Sequence, residues 1–185
     1  ELEAGFSTRL GGVSRAPWHS LNTALHVGDA DGDVIRNRRR IAAGLGWPFE
    51  AWTSASQVHG NRVYRVTAED RGKGRARPED AVAEADALIT DVPGTLLVMY
   101  YADCVPLYFY DPDHSAIGLA HAGWRGTARR CGRWRRRSVP VPIACTRPSD
   151  RPSAPAAMRW TNRCCAACFR WRRPCKGSSA PARKP

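Results

Sequence analysis

Apolar residues in this chain come in short runs broken by Asp, Pro and Gly, with one longer helical stretch among them. Gly5–Arg9 reads as a short strand leading into a Gly11-Gly12 turn. Asp33–Leu45 reads as a helix: Asp33 is placed to cap it, Val34, Arg38, Ile41 and Leu45 fall near one face, and Gly46 ends it. Arg62–Thr67 alternates apolar and polar residues and predicts a strand. Asp70 to Pro78, charged and Gly-rich, predicts a surface loop. Ala87–Thr90, Thr95–Tyr101, Val105–Tyr110 and Ala116–Ala120 are apolar or aromatic runs bounded by turn formers, and all predict strands. No internal repeat is visible.

The last two runs flank Asp111-Pro112-Asp113-His114, which favours a turn. An antiparallel hairpin centred between Pro112 and Asp113 would put Cys104 opposite His121, with Cα atoms about 4.5–5.5 Å apart. Both side chains would leave the same face. His59, after another predicted strand run, would join them from elsewhere in the fold.

Composition divides the chain. Residues 1–127 hold 13 Lys+Arg and 16 Asp+Glu, a net of −3, while residues 128–185 hold 16 Lys+Arg and one acid, Asp150, a net of +15. The tail also has six of the seven cysteines and eight of the fourteen prolines. The first part has the balance of an ordinary globular domain with one cysteine, which argues against a disulfide-built secreted fold and predicts a reducing cytoplasm. No stretch reaches the roughly 18 apolar residues of a membrane span, and no signal peptide is visible. The first residue is Glu1, so further N-terminal residues are expected to be missing.

His59, Cys104 and His121 make a nitrogen, sulfur, nitrogen set, the makeup of a zinc site that keeps a fourth position open for catalysis. Asp103, beside Cys104, is placed to act as a base or to orient a histidine. Arg9 and Arg125 are the cations expected near an anionic substrate group, since a guanidinium grips phosphate or carboxylate through two hydrogen bonds. Each residue alone has a plainer reading. Cys104 could be a small buried apolar residue, His59 a turn histidine, Arg125 a solvated charge and Trp124 core packing. His26 and His114 carry no assigned role. The same residues also permit a metal-free hydrolase, with Cys104 as thiolate and His121 as base.

Eight ordered motifs then carry a resemblance: F-S-T-R-L-G-G-V-S at Phe6–Ser14, S-L-N at Ser20–Asn22, H-V-G-D at His26–Asp29, N-R-R-R at Asn37–Arg40, Q-V-H-G at Gln57–Gly60, A-D-A-L-I-T-D at Ala85–Asp91, A-D-C-V-P at Ala102–Pro106 and H-A-G-W-R-G at His121–Gly126. Over residues 5–127 the chain resembles the laccase-domain family, labelled multicopper polyphenol oxidoreductase and also described as purine nucleoside phosphorylase and adenosine deaminase, with a branch of peptidoglycan editing factors. The resemblance implies a compact single-domain α/β fold with mixed and antiparallel sheets flanked by helices. It implies zinc at His59, Cys104 and His121, phosphorolysis of adenosine, inosine and methylthioadenosine, and deamination of adenosine. Copper enters through the family label, yet multicopper oxidases need many histidines and this chain has five. The runner-up within the family is a hydrolase that edits a peptidoglycan precursor.

After Ala128 the resemblance stops. The tail reads as a GC-rich gene translated out of frame: with suitable codons, a two-base shift turns the segment around Met158 and Trp160 into Tyr-Glu-Val, matching a family G-P-x-I-G-P-x-x-Y-E-V segment. The division expected is therefore 1–127, the metal-enzyme portion, and 128–185, a poorly ordered basic tail left by a frameshift that removed the C-terminal part of the domain. The literal chain is expected to expose an apolar sheet face and an unpaired edge and to be unstable or weakly active. The tail's cysteines mimic zinc-finger spacing without a histidine pair. Its arginine run would belong to a nucleic-acid-binding arm only if the tail were genuine, so nucleic acid is not the expected partner.

Overall fold

The computed structural model describes residues 2–123 and the strand Cys165–Trp171. Eight strands and one α-helix make two four-stranded sheets with the helix on one of them: β1 (Leu2–Phe6), α1 (Asp31–Gly44), β2 (Trp52–Ser54), β3 (Val63–Arg65), β4 (Ala87–Thr90), β5 (Leu96–Tyr101), β6 (Val105–Asp111), β7 (Ala116–Ala122) and β8 (Cys165–Trp171). The first sheet runs β1-β8-β5-β2 and the second β3-β4-β7-β6. β2 is parallel to β5 and β3 to β4; the other pairs are antiparallel, so both sheets are mixed.

β5 is the centre of the packing. Its sequence, Leu-Leu-Val-Met-Tyr-Tyr, has no polar face, and all six residues are buried. Leu97, Met99 and Tyr101 point between the sheets and pack with Val66, Leu88, Ile117 and Leu119. Leu96, Val98 and Tyr100 point the other way, against Ala42 on α1 and against Trp47, Phe49 and Trp52. Burying each large apolar side chain stabilises the fold by roughly 1.5–3 kcal/mol. On the far side of the second sheet, Val63, Ile89 and Leu107 are only partly buried.

Helix α1 works through polar residues as much as apolar ones. It begins at Asp31 with Ala30 as N-cap rather than at Asp33, which instead pairs with Arg36 one turn on. Its buried residues are Val34, Asn37, Arg38 and Ala42; Ile41 and Leu45 from the expected stripe are partly buried. Asn37 accepts the Val13 N–H at 2.9 Å and donates to Ser14 Oγ (2.9 Å), Ser20 O (3.0 Å) and Asn22 O (2.8 Å). It thereby fixes the loop between β1 and α1. Gly12 lies in that loop where any Cβ would strike the Ser20 carbonyl. Arg38 donates to the carbonyls of Thr23 (2.7 Å), Gly74 (2.6 Å) and Arg75 (2.9 Å) and lies over the Tyr100 ring. Burial lowers its pKa, but a guanidinium keeps its charge across the physiological range. Gly46, at φ 66°, lets the chain turn away after the helix as expected.

Other expectations shift in detail. The first strand is Leu2–Phe6 rather than Gly5–Arg9, and the strand expected over Arg62–Thr67 covers only Val63–Arg65. The run from Asp70 to Pro78 is not simply a surface loop, because Asp70, Gly72 and Gly74 are buried. Its backbone is tied inward, with Ser54 N–H donating to Lys73 O at 3.0 Å. Strand β2 and the core tryptophans Trp47 and Trp52 had no expected role. Within the basic tail, Cys165–Trp171 forms β8, antiparallel to both β1 and β5; the rest of 128–185 lies outside the described residues. Among the described residues no helix is long and apolar enough to cross a membrane.

Two predictions follow from this scaffold. Asn37→Ala strands several buried backbone groups and should cost about 2–5 kcal/mol in urea-unfolding free energy. The second concerns Asp70. Burial pushes the Asp70 carboxyl up, but Lys73 at 2.6 Å and the Thr67 donors outweigh it and bring its pKa from the ordinary 3.8 down to about 2. A depressed carboxylate pKa contributes stability above the unfolded value and loses it as pH falls through the folded one. Asp70→Asn should therefore be less stable than the parent at neutral pH, with the gap closing between pH 3.8 and about 2 in an acid-unfolding series.

Candidate metal centre

His121 lies near the end of β7, with a neighbour on each side. On one side the β4–β7 ladder pairs Ala87 with Ala120, so Asp86, one residue before β4, comes opposite His121. His121 N–H donates to Asp86 O at 2.8 Å, and the side chains meet at 2.9 Å between Nδ1 and Oδ1. On the other side the β6–β7 ladder pairs Pro106 with His121, so the expected register, Cys104 opposite His121, is corrected by two residues. The turn is centred between Asp113 and His114 because Asp111 stays in the strand. Asp111 Oδ1 accepts the Asp113 and His114 N–H groups at 3.0 and 3.1 Å, and Ser115 takes the left-handed conformation at φ 50°.

A two-residue shift preserves the face, because side chains alternate with period two. Cys104 is therefore a diagonal neighbour of His121, within reach across the ladder. The residue directly opposite Cys104 is Gly123, continuing the register. A Cβ on Gly123 would sit 3.6 Å from both Cys104 Sγ and His59 Cδ2, so the missing side chain leaves open the space the three donors face.

His59 arrives on the segment after β2. Gln57 anchors it: the side chain donates to Tyr100 O at 2.8 Å and accepts from Tyr100 N at 2.7 Å, extending the β2–β5 ladder with an amide side chain. His59 itself has φ 56°, a left-handed backbone that costs a non-glycine residue about 1–2 kcal/mol. Three successive N–H groups then converge on the Asp86 carboxylate: Val58 at 3.2 Å, His59 at 3.0 Å and Gly60 at 2.7 Å. Such a run of amides is a nest for an anion, and here the anion is a side chain of the same protein.

The result is one group, among the described residues, that could hold a metal ion: the donor atoms of His59, Cys104 and His121 all lie within 4.8 Å of one another. A tetrahedral ion with bonds of about 2.0–2.3 Å would need donors roughly 3.3–3.8 Å apart, a spacing that side-chain rotations of about an ångström would reach. His121 is buried, Cys104 half-buried and His59 exposed, so the cluster reaches from the core to the surface. The His59 and His121 rings meet edge to face at 4.7 Å, Tyr101 packs on His121 at 5.3 Å, and Phe6 packs on Tyr101 at 5.8 Å.

The remaining candidates are placed unevenly. Asp103 is exposed, with Oδ1 3.6 Å from Cys104 Sγ. The carboxylate on the His121 ring is that of Asp86, which sequence reasoning left without a role although it lay inside the A-D-A-L-I-T-D motif. The usable signal was strand register: a carboxylate opposite a ligand position. Arg9 is exposed, and its carbonyl accepts the Ser20 and Leu21 N–H groups at 2.8 and 2.9 Å. Arg125 and Trp124 lie outside the described residues. His114 pairs with Asp111 at 3.0 Å. His26 lines a cavity of about 290 Å³ beside Arg38, and partial desolvation there, with the Arg38 charge adding to it, lowers its pKa.

Known proteins share this sequence and fold. Residues 3–134 match the family model described as multi-copper polyphenol oxidoreductase laccase. The chain belongs to that family. It is 48% identical over 133 residues to the purine nucleoside phosphorylase YlmD of Bacillus subtilis, covering 72% of this chain and 48% of that protein. The like-named protein of Geobacillus stearothermophilus is 51% identical over 125 residues, covering 68% of this chain and 46% of its own. The crystal structure of YlmD from Geobacillus stearothermophilus superposes with a TM-score of 0.70 at 47% identity, over 72% of this chain and 52% of that one. The hypothetical protein YfiH of Bacillus licheniformis gives a TM-score of 0.67 at 48% identity, over 69% of this chain and 48% of that one. The chain thus spans about half the length of the relatives it matches, and the compact α/β fold with mixed sheets is theirs.

Removing the Gln57 amide tests how the histidine segment is held. Gln57→Ala should cost about 1–3 kcal/mol in unfolding free energy and speed hydrogen exchange at the Tyr100 amide.

Proposed function

We propose that this chain carries the metal-binding half of a zinc-dependent purine nucleoside phosphorylase that also deaminates adenosine. The observation that carries the reading is the convergence of His59, Cys104 and His121 within 4.8 Å, in a chain 48% identical over 133 residues and 51% identical over 125 residues to two proteins named purine nucleoside phosphorylase. Bound zinc would polarise a substrate oxygen or lower the pKa of a bound water to about 7.

The substrate chemistry then divides. In phosphorolysis a phosphate oxygen forms the bond to C1′ of the ribose as the bond from C1′ to the base breaks, and the base leaves with the electron pair and takes up a proton. In deamination the oxygen of water adds at C6 and ammonia leaves. Arg9 and Arg125 are the candidate contacts for phosphate, through paired guanidinium hydrogen bonds. Asp103 is the candidate to move a proton beside Cys104. The half-exposed Phe6, packed on the buried Tyr101 that in turn packs on His121, is the aromatic face on which a planar base could stack.

Two histidines and one cysteine also suit copper, the metal of the family's description. Neither phosphorolysis nor deamination transfers electrons, so a redox-inert Lewis acid is sufficient, and zinc is the assignment. The His121–Asp86 bond gives Cys104 and His121 the outline of a Cys-His-Asp hydrolase. That chemistry has no use for His59, whose donor atom shares the same small space.

The test is metal content followed by turnover. The purified chain should bind one zinc, and Cys104→Ser and His121→Ala should each weaken it by at least about tenfold in chelator competition. Any release of hypoxanthine from inosine with phosphate should fall in parallel. Thiol-reagent inactivation of a metal-free but fully active chain would favour the hydrolase. Zinc binding with turnover only of a serine-bearing peptidoglycan precursor would replace the nucleoside reading. An intense blue absorption from the purified protein would replace zinc by copper.

A further inference from the structure

We infer that Asp86 is the positioning residue of the metal centre and couples its two histidines, so that neither is set independently of the other. The inference rests on the metal reading above. Asp86 is fully buried and sits between two chain segments far apart in sequence. Its carboxylate takes the Val58, His59 and Gly60 N–H groups at 3.2, 3.0 and 2.7 Å and meets His121 Nδ1 at 2.9 Å.

Each half of this arrangement has a distinct consequence. A carboxylate that collects three N–H groups is an acceptor, so the proton between it and His121 belongs to Nδ1. That fixes the tautomer of His121 and leaves Nε2 with its lone pair available as the ligand atom. A carboxylate behind a ligand histidine also holds the ring in plane and raises its basicity as a donor. On the other side, the three amides hold His59 in a left-handed backbone that it would otherwise avoid. A Cβ on Gly60 would lie in ordinary van der Waals contact with Asp86 Oδ2 (3.5 Å) and Val58 Cγ2 (3.4 Å), so the loop closes tightly around the carboxylate. Hydrogen bonds between Asp86 backbone and its neighbours keep the carboxylate in place, with Asp86 N donating to Arg62 O at 3.2 Å and His121 N donating to Asp86 O at 2.8 Å.

Asparagine in place of Asp86 has the same shape, but half of its amide is a donor. At the Oδ1 position that donor would face both the His59 N–H and His121 Nδ1, and at the Oδ2 position it would face the Val58 and Gly60 N–H groups, so the nest loses a partner in either orientation. Asp86→Asn should lower zinc affinity about 10–100-fold in chelator competition. Because it acts through both histidines, its effect should be at least about threefold smaller in a His59→Ala background, a non-additivity that a double-mutant cycle reads directly. Equal factors in both backgrounds would mean that Asp86 serves His121 alone and would overturn the coupling. Parent-like affinity in Asp86→Asn would overturn the whole role.

Two measurements on the unmutated full chain keep the inference open to refutation if Asp86→Asn does not fold. Nitrogen-15 NMR of His121 should show Nδ1 protonated and Nε2 bare in the metal-free protein, and hydrogen exchange should show the Val58, His59 and Gly60 amides protected. Nε2 carrying the proton, or those three amides exchanging at the rate of an open loop, would contradict it. Failure of the metal reading looks different: His59→Ala, Cys104→Ala and His121→Ala would all bind zinc like the parent, while the His121 tautomer and the amide protection would still report on Asp86.

Discussion

A buried carboxylate needs hydrogen-bond donors for its charge, and Asp86 finds them in two places at once: three consecutive backbone amides and a histidine ring. The candidate site depends on that requirement. The Asp86 position comes from strand register, since β4 pairs with β7 and brings it opposite His121. The amides come from the segment between β2 and β3, which must bend left-handed at His59 to present them. Satisfying one charge therefore brings two potential ligands to the same spot before any metal arrives.

The third donor follows from the neighbouring ladder. β6 and β7 pair so that Cys104 lies diagonal to His121 and opposite a residue with no side chain, Gly123. Behind these strands, β5 buries both of its faces and holds the two sheets and the helix in one stack. Gln57 ties the His59 segment to that strand through its side-chain amide. The candidate site thus stands on strand ends and a pinned loop, the arrangement that would keep ligand geometry tight.

Much of this was legible in the sequence. The apolar runs of β4 to β7 announced four strands nearly to the residue, and Gly46 announced the helix end. The trio was legible because His and Cys at turn-bounded strand ends are unusual enough to notice. The hairpin register was missed by two residues because Asp111 serves both as the last strand residue and as the side chain that caps the turn. Even so, the shared face of Cys104 and His121 was retained, since a shift of two leaves side-chain parity intact. Asp86 was not legible because its role depends on which strand lies beside β7, and no local pattern states that. Asn37 was hidden for a related reason: a polar residue on the inner face of a helix looks like a break in the stripe until its distant backbone partners are known; Arg38 was placed on that face, but its carbonyl partners were not legible.

The most direct measurement of the central claim, that two histidines and one cysteine hold one zinc, is X-ray absorption at the zinc edge of the purified chain. The account predicts one sulfur at about 2.3 Å and two imidazole nitrogens at about 2.0–2.1 Å, with a further light atom at the open position. A spectrum lacking sulfur, or one with two or more sulfurs and no imidazole, would place the metal elsewhere and contradict it.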